Sequence, residues 1–179
     1  MRKAVIPVLT VLLACQVQES READLPPPEA PRAAPAPPPI PPPPAQTSDT
    51  TEAGLWAHLQ SSHFRDWQTW PGKDRLYAGS EPHGTLLTTY LNNLAYDALA
   101  NRAPSMPAGA LIVTENFTAD TVLAAITAMY KVSDYDTTAG DWFWARWDSA
   151  GVADVSGRAE ACKACHSANA DMDYIMTAR

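Results

Sequence analysis

Two cysteines separated by two residues and followed directly by a histidine, Cys162-Lys163-Ala164-Cys165-His166, hold the densest chemistry in this chain. On one helical turn such a pair can offer both sulfurs to the vinyl groups of a single haem, while the next side chain reaches the iron. In that reading Cys162 and Cys165 form thioethers to one covalently attached haem c, and His166 supplies the proximal nitrogen. Zinc is the first alternative, with His58, His63 or His83 completing a tetrahedral set around the two thiolates and His166. A thioredoxin-like dithiol is the second, but no βαβ pattern surrounds the motif and the adjacent histidine would have no role in it.

The far side of the iron decides between two kinds of chemistry. A methionine or histidine there favours electron transfer, and an open position permits binding of a small molecule. Met106, Met129, Met172 and Met176 are candidates, as are His58, His63 and His83, and no local context selects one of them. Filling a core gap is the ordinary use of a methionine.

The start of the chain bears on the compartment. Met1-Arg2-Lys3 followed by the apolar stretch Ala4 to Ala14 has the positive start and short hydrophobic run of an export signal, too short for an ordinary spanning helix. It ends in Leu12-Leu13-Ala14-Cys15, which resembles the lipobox of bacterial lipoproteins. Residues 1–14 then read as a removed signal and Cys15 as the lipid-bearing N-terminus of a periplasmic, membrane-anchored protein. An ordinary cleaved signal with a cysteine nearby is the alternative. With Cys15 lipidated and the other two cysteines on the haem, none of the three is left for a disulfide.

Between Pro26 and Pro44 the chain is mostly proline and alanine. Proline lacks the backbone donor and favours an extended helix rising about 3.1 Å per residue, so residues 15–50 read as a semi-rigid spacer between anchor and domain. The aromatic residues and histidines are concentrated further on: all six tryptophans and all four histidines fall between Trp56 and His166. Residues 51–179 are therefore the folded unit, with room for one core. A net charge of -7 without a basic run excludes a nucleic-acid groove and points to small molecules or basic redox proteins as partners.

Within that unit, Thr51 to Phe64 predicts an opening helix, with Leu55 and Leu59, then Trp56 and His63, at helical spacings. Gly84 to Leu91, Ala110 to Asn116, Val122 to Val132 and Asp141 to Trp147 read as strands, although the alanines up to Tyr130 equally allow a helix. Gly157 to Ser167 predicts a short helix bearing the cysteine pair. The expected class is α+β: a mainly antiparallel sheet with a helix at each end.

The order of blocks carries a family resemblance. Pro82-His83-Gly84-Thr85-Leu86-Leu87-Thr88-Thr89-Tyr90-Leu91-Asn92-Asn93, Pro107-Ala108-Gly109-Ala110-Leu111-Ile112-Val113, Met129-Tyr130-Lys131-Val132, Gly140-Asp141-Trp142-Phe143-Trp144-Ala145 and the terminal haem motif resemble the cytochrome P-460 family. The resemblance implies a β-sheet haem protein, often a homodimer, with a five-coordinate haem and an open distal face. Relatives of this kind oxidise hydroxylamine or bind nitric oxide and carbon monoxide. The enzymes carry a lysine cross-linked to the haem. The folded region here has only Lys73, Lys131 and Lys163, and Thr114 stands where the cross-linking residue is expected. Lys131 is the haem-edge candidate, against the bland reading of a solvated lysine. Two functions stay open: a haem that binds or transforms small nitrogen oxides, and a tethered electron carrier.

Overall fold

The computed structural model describes residues 50–176. The signal segment, Cys15 and the proline-rich stretch lie outside the described residues, as do the last three positions. The order begins with α1 (Glu52–Ser61), β1 (Gln68–Thr69), β2 (Tyr77–Ala78), β3 (Leu86–Leu91) and α2 (Asn93–Ala100). It continues with β4 (Leu111–Phe117), β5 (Leu123–Lys131), β6 (Trp142–Asp148), β7 (Ala153–Gly157) and α3 (Glu160–His166). Strands β3 to β7 form an antiparallel meander, each paired with the next, and short β1 and β2 both pair with β3. The α+β class expected from the sequence is the one observed.

Because neighbouring residues of a strand point to opposite faces, each strand serves two interiors. Tyr90, Leu111, Val113, Ile126, Tyr130, Phe143 and Trp147 point to one face, where they pack with Leu55 and Leu59 of α1 and with Phe64 and Trp67. The other face sets Ile112 opposite Met129 and Met129 opposite Trp144, with Thr114 opposite Thr127 one step along. Against this second face lie α2, the residues around α3, and a cluster including Trp70, Met106, Trp142 and Ile175.

Local chemistry sets the helix starts. The Thr51 hydroxyl accepts from Gly54 N at 3.1 Å to open α1, and the Asn92 side chain accepts from Ala95 N at 3.0 Å to open α2. Helix α1 stops at Ser61, so His63 is not on it as the spacing suggested; His63 has a left-handed φ of 49°. The alanine-rich stretch Leu123–Lys131 is strand, not helix.

The first face buries one polar network. Glu115 accepts from Arg65 Nε at 2.6 Å and from the Tyr90 hydroxyl at 2.9 Å, and Arg75 Nη1 donates to the Tyr90 oxygen at 3.1 Å. Glu115→Ala is expected to cost about 1–3 kcal/mol in urea unfolding, because Tyr90, a residue only 1% exposed, loses the acceptor of its hydroxyl. Burial, then the Glu115 charge, pushes the Tyr90 phenol up from 10.0 to about 12. Its neutral form is thus favoured in the folded state. The resulting stability is complete below pH 10 and is lost as pH rises toward about 12, a loss that Tyr90→Phe should reduce.

Candidate haem site

Helix α3 carries the motif, and its surroundings hold it in place. Lys163 Nζ donates to Asp136 Oδ2 at 3.1 Å and to Glu160 at 2.7 Å, tying the helix to the loop between β5 and β6. Just before the helix, the Arg158 guanidinium donates to the Tyr135 carbonyl. Beyond α3 the chain makes a 3₁₀ stretch and turns back through Asp173 and Tyr174, both with left-handed φ.

That return is pinned by four hydrogen bonds. Asp173 accepts from Lys131 Nζ at 2.6 Å and from Met106 N at 2.7 Å, and its carbonyl accepts from Trp142 Nε1 at 2.9 Å. The Tyr174 hydroxyl donates to the Thr138 carbonyl at 3.1 Å. Gly140 sits directly under the Tyr174 ring, where a Cβ would come within 2.9 Å of Cδ2, so only glycine allows this approach.

The pinned segment orients His166. Its Nδ1 lies 2.7 Å from the Tyr174 carbonyl oxygen. A carbonyl only accepts, so Nδ1 carries the proton and Nε2 keeps its lone pair. Fixing the remote nitrogen to a carbonyl is how proteins aim a ligating imidazole. The Trp144 ring packs edge-on at 4.7 Å between centres. Burial pushes the His166 pKa down, partly opposed by the Tyr174 hydrogen bond, which favours the neutral ring.

Cys162, Cys165 and His166 all line a cavity of about 880 Å³ that spreads over the second face of the sheet. The volume lies within the roughly 300–1,000 Å³ of small-molecule and cofactor sites. Both cysteines are free thiols, and burial raises the Cys162 thiol, keeping it protonated. Two of its lining residues, Trp144 and Asn116, each hold a buried polar atom, Nε1 and Oδ1, that has no hydrogen-bond partner. Lys73 and Arg146 also line it, and such cations suit the carboxylates of a haem. The donor set, the volume and the orphaned polar atoms therefore fit a haem. Among the described residues no group of three or more His, Cys, Asp or Glu side chains is arranged to hold a metal ion, so the zinc alternative has no built ligand set. The sheet around the motif is antiparallel, unlike a thioredoxin-type βαβ unit.

The other candidates divide clearly. Thr114 lines the cavity, its hydroxyl 2.9 Å from that of Thr89, which in turn lies 2.8 Å from the Tyr77 hydroxyl. Lys131 does not line it. Instead of lying on a solvated face, Lys131 is buried, paired with Asp173, its ammonium 4.6 Å from the Trp142 ring centre. Of the seven methionine and histidine candidates for the far side of the iron, His83, Met129 and Met176 border the cavity. Met106 is buried in the cluster with α2, and His58 packs near Trp67. Sequence reasoning did not find the Tyr174 carbonyl or Asn116. The carbonyl belongs to the backbone and leaves no residue-type signal, whereas Asn116 stands out only once its strand neighbours are known.

A search of characterised proteins gives no match for this chain. A sequence profile described as Cytochrome P460 matches residues 61–177, from the end of α1 through the motif and the Tyr174 return. With the antiparallel sheet and the cavity at the motif, that match makes the chain a haem cytochrome: it belongs to the cytochrome P460 family.

Proposed function

We propose that the chain is an exported cytochrome with one haem c, joined through thioethers to Cys162 and Cys165 and ligated by His166 Nε2, whose iron binds small nitrogen oxides, nitric oxide above all. The observation that carries this reading is the single cavity shared by the His166 imidazole, both motif thiols and the short hydroxyl side chains Thr114 and Thr127. Haem supplies the redox-active iron. The chain supplies the fixed imidazole, a wall small enough to leave room beside it, and cations at the rim.

Binding is favoured over hydroxylamine oxidation by two residues. Thr114 lines the cavity where the resemblance expects a cross-linking lysine, and it has no amine. Lys131 is committed to Asp173. The lipid on Cys15 and the proline-rich spacer would hold the domain at a membrane surface while leaving the cavity in the aqueous phase.

The test is an optical spectrum of the purified protein, oxidised and reduced, with nitric oxide and with carbon monoxide, followed by intact mass. Expected are one haem retained by mass after denaturation and ferrous spectra that shift with both gases. A protein whose haem extracts freely would sink the covalent assignment. One whose spectra ignore both gases would instead be an electron carrier.

A further inference from the structure

We propose that the loop between β5 and β6 sets the reduction potential of the haem by fixing the hydrogen bond from His166 Nδ1 to the Tyr174 carbonyl, with Tyr174 and Lys163 as positioning residues. The proposal rests on the reading above, in which His166 holds the iron.

The bond is 2.7 Å long and joins two residues eight apart in sequence. The chain between them does little to hold it. Residues Ser167–Met172 form a 3₁₀ stretch with no buried residue and a break from helical geometry at Asn169 (φ -123°, ψ 35°). A segment so exposed has few contacts to resist local opening. What keeps the carbonyl on the imidazole lies elsewhere.

The loop at 132–141 holds both ends. At its neck Val132 N donates to the Asp141 carbonyl at 2.9 Å, and inside it Ala139 N and Asp141 N both donate to the Asp136 carbonyl, at 2.8 and 2.9 Å. The Asp136 side chain, 8% exposed, accepts from Thr138 Oγ1 at 2.8 Å through Oδ1 and from Lys163 Nζ at 3.1 Å through Oδ2. The second of these bonds fixes the helix that carries His166. Two residues on, the Thr138 carbonyl accepts from the Tyr174 hydroxyl at 3.1 Å, and the Tyr174 ring lies on Gly140. These contacts fix the return segment. Helix and carbonyl are both referred to one cross-braced loop, so its geometry sets the length of the bond between them.

Neither Tyr174 nor Lys163 lines the cavity. Lys163 is not a free surface charge either: its side chain is 16% exposed and paired with both Asp136 and Glu160. Both residues act through His166. A tighter bond from Nδ1–H to a carbonyl makes the imidazole a stronger donor at Nε2. Stronger donation favours ferric over ferrous iron, so tightening lowers the potential and loosening raises it.

The experiment reads two quantities on the holoprotein: the midpoint potential, and the iron–histidine stretching frequency of the ferrous state by resonance Raman. Tyr174→Phe keeps the ring on Gly140 and removes its bond to Thr138, and Lys163→Gln releases the helix from Asp136. Tyr90→Phe, which deletes a hydroxyl on the opposite face of the sheet, is the control. Expected in Tyr174→Phe are a higher potential and a lower stretching frequency, with the haem mass retained. The net worth of one hydrogen bond bounds the change: the ferric-to-ferrous ratio at a fixed ambient potential falls about twofold to tenfold, tenfold being about 59 mV for a one-electron couple. In Lys163→Gln the lost charge alone works the other way on the potential, so the stretching frequency decides, and it should fall. A frequency at the wild-type value in Tyr174→Phe or in Lys163→Gln, or an equal shift in Tyr90→Phe, overturns the proposal. A denatured wild-type chain without haem mass, or a spectrum that survives His166→Ala, overturns the reading beneath it, and both fall together.

Discussion

Cys162→Ser/Cys165→Ser, produced where the wild type is loaded with haem, is expected to lose the haem completely on denaturation, while Cys165→Ser alone keeps it through one thioether. Intact mass reads this without ambiguity. In the double variant the polypeptide mass stands alone, and in the single variant it still carries the cofactor. His166→Ala should do the opposite, retaining the haem mass while the spectrum loses the signature of its proximal nitrogen. The separation follows from geometry, since both thiols and the imidazole line one cavity but only His166 has a remote nitrogen fixed to a carbonyl. Unchanged masses and spectra across the three variants would refute the assignment of the motif.

Asp173→Ala is expected to be the most damaging substitution away from the motif, costing about 3–5 kcal/mol in denaturant unfolding, because it leaves Lys131 charged and buried without its partner. The Met106 amide loses its acceptor as well. Replacing both charges, as Lys131→Met/Asp173→Leu, should recover part of the loss, since no uncompensated charge then stays inside. The same variant carries a second signature. Asp173 precedes the residue whose carbonyl orients His166, so haem loading at equal folded fraction should fall in Asp173→Ala. Equal unfolding midpoints for wild type and Asp173→Ala would show that the buried pair contributes nothing.

Much of this arrangement could be read from residue order. Turn signals bounding Gly84 to Leu91, Ala110 to Asn116 and Asp141 to Trp147 announced the central strands, and the spacing of Cys162, Cys165 and His166 suited the short helix on which they lie. Four elements were missed: β1 and β2, each only two residues long, and α2 and β7. Helix α2 follows an Asn N-cap, a signal present in Asn92 but masked by the turn-like Asn92-Asn93 pair after a strand. Strand β7 is a short sheet edge with exposed Ala153 and Asp154, and it offers no apolar pattern to detect. Leu123–Lys131 was ambiguous because alanine suits both structures, and pairing with β4 and β6 on either side decided it. Lys131 looked like an isolated surface cation because its counter-ion lies 42 residues away. The approach of His83 to His166 depends likewise on a loop and a helix meeting over the sheet, which no local spacing encodes.

The alternation of the central strands also bears on how such a protein can change. In Leu111–Phe117 the residues at 111 and 113 are buried in the cluster packed on α1, while their immediate neighbours at 112, 114 and 116 face the cavity beside the motif. A substitution at Thr114 can therefore reshape the cavity wall without touching the cluster packed on α1, whereas Ile112 and Asn116 serve the packed interior as well as the cavity. A single inserted or deleted residue has no such freedom, because it exchanges the two sets and spoils both at once.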